Sequence, residues 1–134
     1  MKIKHLYLFL FLILSFGLKA NEEKVISITT DNISLIYKVD AKTGRLFQSY
    51  LGQKLSYDSD IAQLPLGKEA YLTHGMEDYF EPAIRVLHND GNPSLLLKYV
   101  SHENKEVQPG VKEMVITLKD DVYPVVVKLH FVTY

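Results

Sequence analysis

The sequence predicts an all-β protein, an antiparallel β-sandwich, over residues 21–134. Segments rich in β-branched and aromatic residues recur about every ten residues, with turn-forming residues between them. No stretch after residue 20 keeps the i, i+3, i+4, i+7 apolar spacing of an amphipathic helix over three turns. Short strands at this spacing are typical of two packed antiparallel sheets.

The first 20 residues differ from the rest and are predicted to be a cleaved signal peptide. Lys2 and Lys4 are basic, and Leu6 to Phe16 is an almost unbroken apolar run of 11 residues. Ala20 supplies the small residue that a cleavage site needs. A membrane anchor is the weaker alternative, because a spanning helix needs roughly 20 apolar residues. We therefore expect a bacterial protein exported to the periplasm or outside the cell, with no membrane association after cleavage.

The composition of residues 21–134 argues against nucleic acid as a partner. Removing Lys2, Lys4 and Lys19 from the 15 Lys and Arg residues leaves 12, against 16 Asp and Glu residues, a formal charge of −4. No basic cluster is present to hold a phosphate backbone. The chain also lacks cysteine, so an exported domain of 114 residues has to be stabilised by one hydrophobic core without disulfides.

Seven strands are predicted, and turn residues join six of them into three hairpins. The predicted strands are Ile33–Val39, Arg45–Leu51, Lys54–Tyr57, Ala83–His88, Ser94–Ser101, Glu113–Lys119 and Pro124–Tyr134. Asp40–Gly44, Asn89–Pro93 and Asp120–Tyr123 are the predicted hairpin turns, and residues 58–68 are predicted to be irregular. Ile33–Val39 is expected to bury one face. Four aromatic residues fall at alternating positions expected of the core: Tyr37, Phe47, Tyr99 and Phe131.

The last predicted strand is unusually apolar for a strand with no following turn or polar tail. The run from Val125 to Tyr134 would leave an edge open to pairing with another strand. We therefore expect the sandwich to be incomplete at the C-terminus, with its next strand supplied by sequence beyond this chain. A last strand buried at the centre of a sheet is the alternative.

The motifs of common enzyme classes are missing. The chain has no cysteine nucleophile, Gly-rich phosphate loop, His-Glu-x-x-His pair or Gly-x-Ser-x-Gly turn. Four histidines after residue 20 are each about 14 or more residues apart: His74, His88, His102 and His130. Because a metal site would need the fold to collect them from separate strands, no metal or other cofactor is expected. We expect His88 and His102 to hydrogen-bond at strand ends and His130 to lie on a sheet face.

Among the residue types that could carry chemistry, carboxylates are the one class with local density, at Glu77, Asp78 and Glu81. Glycoside hydrolysis uses two carboxyl groups that face each other, which adjacent residues of an extended chain cannot provide. Solvated loop charges are one interpretation of these residues. The functional interpretation is that they reach into a site built mostly by another domain. Tyr79 and Phe80 lie in the same segment, so one of them is expected to be exposed and functional.

This segment also carries the most specific sequence pattern. Residues 74–86 contain Gly-x-x-Asp-aromatic-x-x-Pro-Ala and lead into a predicted strand, a turn at Asp90-Gly91 and a strand ending in Tyr99-Val100-Ser101-His102. This order resembles the N-terminal domain of glycoside hydrolase family 36. The stretch from Gly44 to Gly52 resembles the early hairpin of that family, so the similarity covers roughly residues 26–134.

The resemblance implies a supersandwich-like domain before a (β/α)₈ barrel that carries two catalytic aspartates. It implies a retaining α-galactosidase that hydrolyses terminal α-galactosides such as melibiose and raffinose. This chain has no barrel, so it is expected to be an inactive N-terminal fragment without catalytic residues. In tetrameric family members the matching segment approaches a neighbouring active site, which implies a homo-oligomer and makes Asp78 and Tyr79 the predicted substrate-binding residues. Glu81 stands where many members have a basic residue.

Two alternatives to an α-galactosidase fragment stay open at this point. One is a free-standing periplasmic carbohydrate-binding sandwich that uses Tyr79 and its neighbours. The other is a structural sandwich that packs against a partner through its final strand.

Overall fold

Two antiparallel sheets make up the protein in a computed structural model, which describes residues 23–71 and 81–134. The first sheet has strand order β1-β2-β3-β4, and the second has order β5-β6-β7. The elements are β1 Lys24–Thr29, β2 Ile33–Val39, β3 Leu46–Gln53, α1 Asp58–Gln63, β4 Lys68–Glu69, β5 Leu97–Gln108, β6 Val111–Asp120 and β7 Val126–Thr133. The predicted all-β sandwich class is confirmed. The predicted signal peptide lies outside the described residues.

The hairpin of β2 and β3 forms where its turn residues predicted it. The two strands pair antiparallel from Val39↔Leu46 to Ile33↔Gln53. Gly44 has φ +72°, a conformation that costs other residues strain, and its N–H donates to the carbonyl of Asp40 at 2.8 Å. The Asp40 carboxylate accepts a hydrogen bond of 2.6 Å from the Thr43 hydroxyl, so side chains as well as backbone groups stabilise the turn.

The hydrophobic core lies between the two sheets. Its buried members are Ile26, Ile28, Tyr37, Val39, Leu46, Leu95, Leu97, Met114, Ile116, Leu118 and Leu129. Tyr37 meets Phe131 of the second sheet at a ring-centroid distance of 5.6 Å, and Tyr99 is half-buried against the core. The expectation for Phe47 was wrong. It pairs with Lys38 on the opposite face of the first sheet, and Leu46 is the β3 residue that enters the core.

The opposite face of β2 is also buried, which corrects the prediction of a single buried face. Ser34, Ile36 and Lys38 are at most 2% exposed. The segment 54–67 covers them. Lys38 Nζ donates to the carbonyls of Leu64 at 2.8 Å and Ala62 at 3.4 Å, and it lies 3.3 Å from the Glu23 carboxylate. A buried amine is tolerated here because its hydrogen bonds are satisfied.

The segment 54–67, which covers this face of β2, differs from the sequence prediction. Lys54–Tyr57 is not a strand, because the N–H of Leu55 donates to Ser34 Oγ at 3.0 Å. The helix α1 follows within a region predicted to be irregular; six residues are too few to show a helical period. Gly67 has φ +82°, and an added Cβ would lie 2.1 Å from the carbonyl oxygen of Gln48. No helix of the described residues is long and apolar enough to cross a membrane.

The second sheet consists of two consecutive hairpins. The predicted pairing of β6 with β7 is confirmed, from Lys119↔Val126 to Lys112↔Thr133. The predicted hairpin of Ala83–His88 with Ser94–Ser101 was wrong. Residues 83–88 form no strand, and β5 begins at Leu97, continues to Gln108 and pairs with β6 instead. The predicted turn at Asn89–Pro93 is present. The His88 N–H donates to the Asn92 carbonyl at 3.0 Å, and the Gly91 N–H donates to the His88 carbonyl at 2.9 Å.

We predict that Lys38→Met loosens the covering segment. The substitution keeps most of the apolar stem but leaves the carbonyls of Ala62 and Leu64 without the donor, so the free energy of unfolding should fall by about 2 kcal/mol. Urea unfolding measures that change, and limited proteolysis should cut within residues 58–66 sooner. Lys42→Met, at an exposed turn position, is the matched control. Equal stability and equal cleavage of the two variants would contradict the assigned role of Lys38.

Candidate functional site

The two predicted substrate-binding residues, Asp78 and Tyr79, lie outside the described residues. Ala70 and Tyr71, which precede residues 72–80, pack against the core, and so do Ile84 and Val86, which follow them. Described residues close to both sides of residues 72–80 are therefore packed on the core of the sandwich.

An ion pair fixes the chain just before this segment. Arg45, beside the first hairpin turn, donates through Nε to Glu69 Oε1 at 2.7 Å, and its Nη2 contacts the other carboxylate oxygen. Both side chains are about one-fifth exposed. Such two-point contact fixes orientation as well as distance. Glu69 belongs to β4. The ion pair and the backbone pairing of β3 with β4 therefore fix the position of the chain just before Ala70 and Tyr71.

Two tyrosines, Tyr37 and Tyr71, keep their hydroxyl groups neutral. Burial, with a smaller contribution from the nearby Tyr71 hydroxyl, raises the pKa of Tyr37 to about 12. Burial also raises the pKa of Tyr71 above its ordinary value of 10.0. At neutral pH both groups are therefore un-ionised and act as polar parts of the core, without nucleophilic or general-base character.

A polar cluster of the described residues joins two turns of the sandwich. The rings of His88 and Tyr123 stack with centroids 3.4 Å apart and planes 7° from parallel. The Tyr123 hydroxyl donates to Asp90 Oδ2 at 2.7 Å and accepts from Asn92 Nδ2 at 3.0 Å. We call this the turn cluster. It borders a groove of about 340 Å³, whose apolar lining includes Leu87 and Pro124.

The buried carboxylate of Asp120 fixes the turn that carries Tyr123 of the turn cluster. Asp120 is 3% exposed and accepts three backbone hydrogen bonds, from the N–H groups of Leu96 at 2.5 Å, Tyr123 at 2.7 Å and Val122 at 2.8 Å. Burial acts to raise the pKa of Asp120, but these hydrogen bonds outweigh it and hold the pKa below its ordinary value.

The geometry of the turn cluster fits a structural tie better than a catalytic pair. A backbone hydrogen bond from Asn92, with the Tyr123 hydroxyl, lowers the pKa of Asp90. Asp90 and Asp120 are therefore both ionised at neutral pH. A glycosidase acid instead needs a carboxyl group whose pKa is raised. Each of these carboxylates already accepts hydrogen bonds that connect turns.

The histidines do not come together in the part of the chain that the structure describes. His88 Nε2 contacts the Ser94 carbonyl at 3.0 Å, and His130 pairs with Glu113 at 2.8 Å on the outer face of the second sheet, as predicted. His102 contacts the Tyr99 hydroxyl at 2.8 Å from within β5, so its predicted place at a strand end was wrong. Residues 23–71 and 81–134 contain no group of three or more His, Asp or Glu residues suited to a metal.

Sequence reasoning missed Asp120 and Tyr123 as members of a cluster. One local signal for Asp120 was present, because an Asp at the start of a turn commonly accepts from the N–H groups two and three residues later. The stack of Tyr123 on His88 had no sequence signal, since the two residues belong to different turns.

We predict that Asp120→Asn destabilises the protein in a pH-dependent way. Because the pKa of Asp120 is lowered on folding, its contribution is fully present above its ordinary pKa of 3.8 and is lost as the pH falls through the lower folded value. At pH 7 the variant should lose about 2 kcal/mol of unfolding free energy. The difference from the unsubstituted protein should shrink below pH 4 or so.

The adjacent Asp121 provides the control for this experiment. Its carboxylate pairs with Lys98 at the surface, so Asp121→Asn should change stability by less than about 1 kcal/mol. Urea unfolding of both variants from pH 3 to 7 or so measures the two effects. Equal losses for the two variants, or a loss for Asp120→Asn that is the same at all pH values, would contradict the role assigned to Asp120.

Comparison with known proteins places this architecture in a family. The model of the glycosyl hydrolase family 36 N-terminal domain matches residues 31–134. Among solved structures, the α-galactosidase from Lactobacillus brevis is similar with a TM-score of 0.65 and 17% identity, over 87% of this chain and 20% of that chain. The galactosidase domain of α-galactosidase-sucrose kinase, AgaSK, is similar with a TM-score of 0.64 and 20% identity, over 82% of this chain and 20% of that chain. No curated protein matches significantly.

These findings agree with the described geometry. At such identities the two solved structures show a shared fold, and this chain spans about one-fifth of each. The family match covers most of the chain, including both sheets except β1. By this match, the chain belongs to the glycosyl hydrolase family 36 N-terminal domain.

Proposed function

We propose that this chain is the N-terminal, non-catalytic portion of an exported α-galactosidase that hydrolyses terminal α-galactosides. The observation that carries the proposal is the family match over residues 31–134. Two similar structures support it, since each belongs to a much longer chain described as an α-galactosidase or its galactosidase domain. The predicted signal peptide supports export to the periplasm or the outside of the cell.

The described residues support a scaffolding role within that enzyme. The carboxylates of the turn cluster and Asp120 connect backbone turns and have lowered pKa values, so they are suited to structure more than to acid catalysis. Described residues close to both sides of the segment that contains Asp78 and Tyr79 pack on the core. We propose that this segment reaches the edge of an active site of a neighbouring subunit in a homo-oligomer, where Asp78 accepts hydrogen bonds from a galactoside.

Activity measurements on two forms of the protein test the proposal. The 134-residue chain and the complete product of its gene would each be assayed with p-nitrophenyl α-galactoside and with raffinose. We expect hydrolysis by a longer product and none by the chain alone. A gene product with no barrel, or hydrolysis by the chain alone, would contradict the proposal. A rise in the melting temperature of the chain alone on adding raffinose would instead favour a free-standing binding module.

A substitution in the complete product tests the proposed role of Asp78. Asp78→Asn keeps the shape of the side chain but weakens its acceptor, so we expect the KM for raffinose to rise about tenfold with a smaller change in kcat. Asp121→Asn is the matched control, because its carboxylate lies on the surface and pairs with Lys98. An unchanged KM for Asp78→Asn would remove Asp78 from the substrate side.

A further inference from the structure

We propose that the Asp90-Gly91 peptide is a site of covalent modification, where Asp90 converts to isoaspartate once its hydrogen bonds in the turn cluster are lost. It is the one Asp-Gly pair in the sequence, which contains no Asn-Gly pair. Both residues are exposed, and a Cβ added at Gly91 would meet no atom within 4 Å. A glycine in open space leaves its backbone nitrogen free of steric hindrance from a side chain.

The reaction needs no reagent besides water. The Gly91 backbone nitrogen attacks Asp90 Cγ and forms a C–N bond, while its proton leaves with the hydroxyl of the protonated carboxyl group as water. Water then opens the cyclic succinimide that results. Breaking the bond from nitrogen to Cγ restores aspartate. Breaking the bond from nitrogen to the Asp90 backbone carbonyl carbon gives isoaspartate, in which the main chain runs through Cγ.

The folded turn restrains both reacting groups. The Gly91 N–H donates to the His88 carbonyl at 2.9 Å. Asp90 Oδ1 accepts from the Asn92 N–H at 3.0 Å, and Asp90 Oδ2 accepts from the Tyr123 hydroxyl at 2.7 Å. Ring closure removes the proton on nitrogen and one carboxyl oxygen. It therefore has to break the first of these hydrogen bonds and at least one of the other two.

The same contacts keep the carboxyl group in its less reactive form. The Asn92 N–H and the Tyr123 hydroxyl lower the pKa of Asp90, so the group is ionised at neutral pH. A carboxylate is a weaker electrophile than a carboxylic acid, because it has no hydroxyl to release. The Tyr123 hydroxyl is itself positioned by the stack on His88 and by Asn92 Nδ2 at 3.0 Å. The turn cluster therefore protects Asp90 chemically as well as joining two turns.

Asp40 provides an internal comparison. Its carboxylate also accepts from a hydroxyl, that of Thr43 at 2.6 Å, and from the N–H two residues later, that of Lys42 at 3.3 Å. The residue after Asp40 is Ala41, whose methyl group hinders ring closure, and the hydroxyl donor belongs to the same turn. Asp90 instead depends on a hydroxyl from a different turn. Its protection is therefore lost when the two turns separate.

Ageing of the full 134-residue chain under native conditions tests the inference. Tyr123→Phe keeps the ring beside His88 and removes the hydroxyl that binds Asp90. Isoaspartate at residue 90 should then form about tenfold faster than in the unsubstituted chain, the effect of one hydrogen bond to a charged group. The measurement is peptide mapping after labelling by an isoaspartyl methyltransferase.

A synthetic peptide of residues 84–96 gives the rate of the reaction without the turn cluster. Because the peptide lacks Tyr123 and the folded turn, its rate should exceed that of the unsubstituted chain by about tenfold or more. This comparison needs no variant, so it tests the protection of Asp90 even where a substitution impairs folding.

Two variants control for effects unrelated to the turn cluster. Lys38→Met removes buried hydrogen bonds of the first sheet and leaves the turn cluster unchanged, so it controls for general loosening of the fold. Tyr50→Phe controls for loss of a tyrosine hydroxyl, because the Tyr50 hydroxyl donates to the Gln53 carbonyl at 2.8 Å. Both variants should form isoaspartate at residue 90 at the rate of the unsubstituted chain.

Any of four results would overturn the inference. They are no isoaspartate in the peptide, equal rates in the peptide and the folded chain, equal rates in Tyr123→Phe and the unsubstituted chain, or a rise in a control variant as large as in Tyr123→Phe. None of these results involves galactoside hydrolysis, so failure of this inference and failure of the proposed function give different observations.

Discussion

The packing of β2 on both of its faces is the constraint on which the rest of the structure depends. Tyr37 faces the second sheet and meets Phe131, while its neighbour Lys38 points the other way and donates to the carbonyls of Ala62 and Leu64. The strand therefore belongs to two interfaces, one apolar and one closed by hydrogen bonds. Because β1 and β3 pair with it on either side, displacing β2 would expose the core and release the segment 54–67 together.

Local patterns predicted the elements whose partners are adjacent in sequence. The β2–β3 and β6–β7 hairpins have clear alternation and turn residues, and both formed. The failures have a common physical cause. Lys54–Tyr57 and Ala83–His88 both alternate like strands, but neither pairs with a neighbouring strand along its length. The first is bonded to the Ser34 side chain, and the second packs on the core through Ile84 and Val86. Whether an alternating segment pairs depends on a distant partner, which its own sequence does not specify.

The same limit applies to the candidate site. A turn-forming Asp at position 120 was visible in the sequence. Its burial and its hydrogen bond from the Leu96 N–H were not, because they depend on the fold placing the end of β6 beside the residue that precedes β5. The stack of His88 on Tyr123 likewise joins two turns that are far apart in sequence. Asp78 and Tyr79 stay a prediction from resemblance. The described structure adds that residues close to both sides of their segment pack on the core.

Together these contacts describe a scaffold in which a doubly covered strand supports one sheet, and a second sheet with an open edge completes only part of the core. Amide hydrogen exchange of the full chain under native conditions tests the central claim most directly. The amides of β2 should be among the slowest to exchange, approaching the global unfolding free energy, and those of the edge strand β7 should exchange sooner. Exchange in β2 as fast as in β7 would contradict the account.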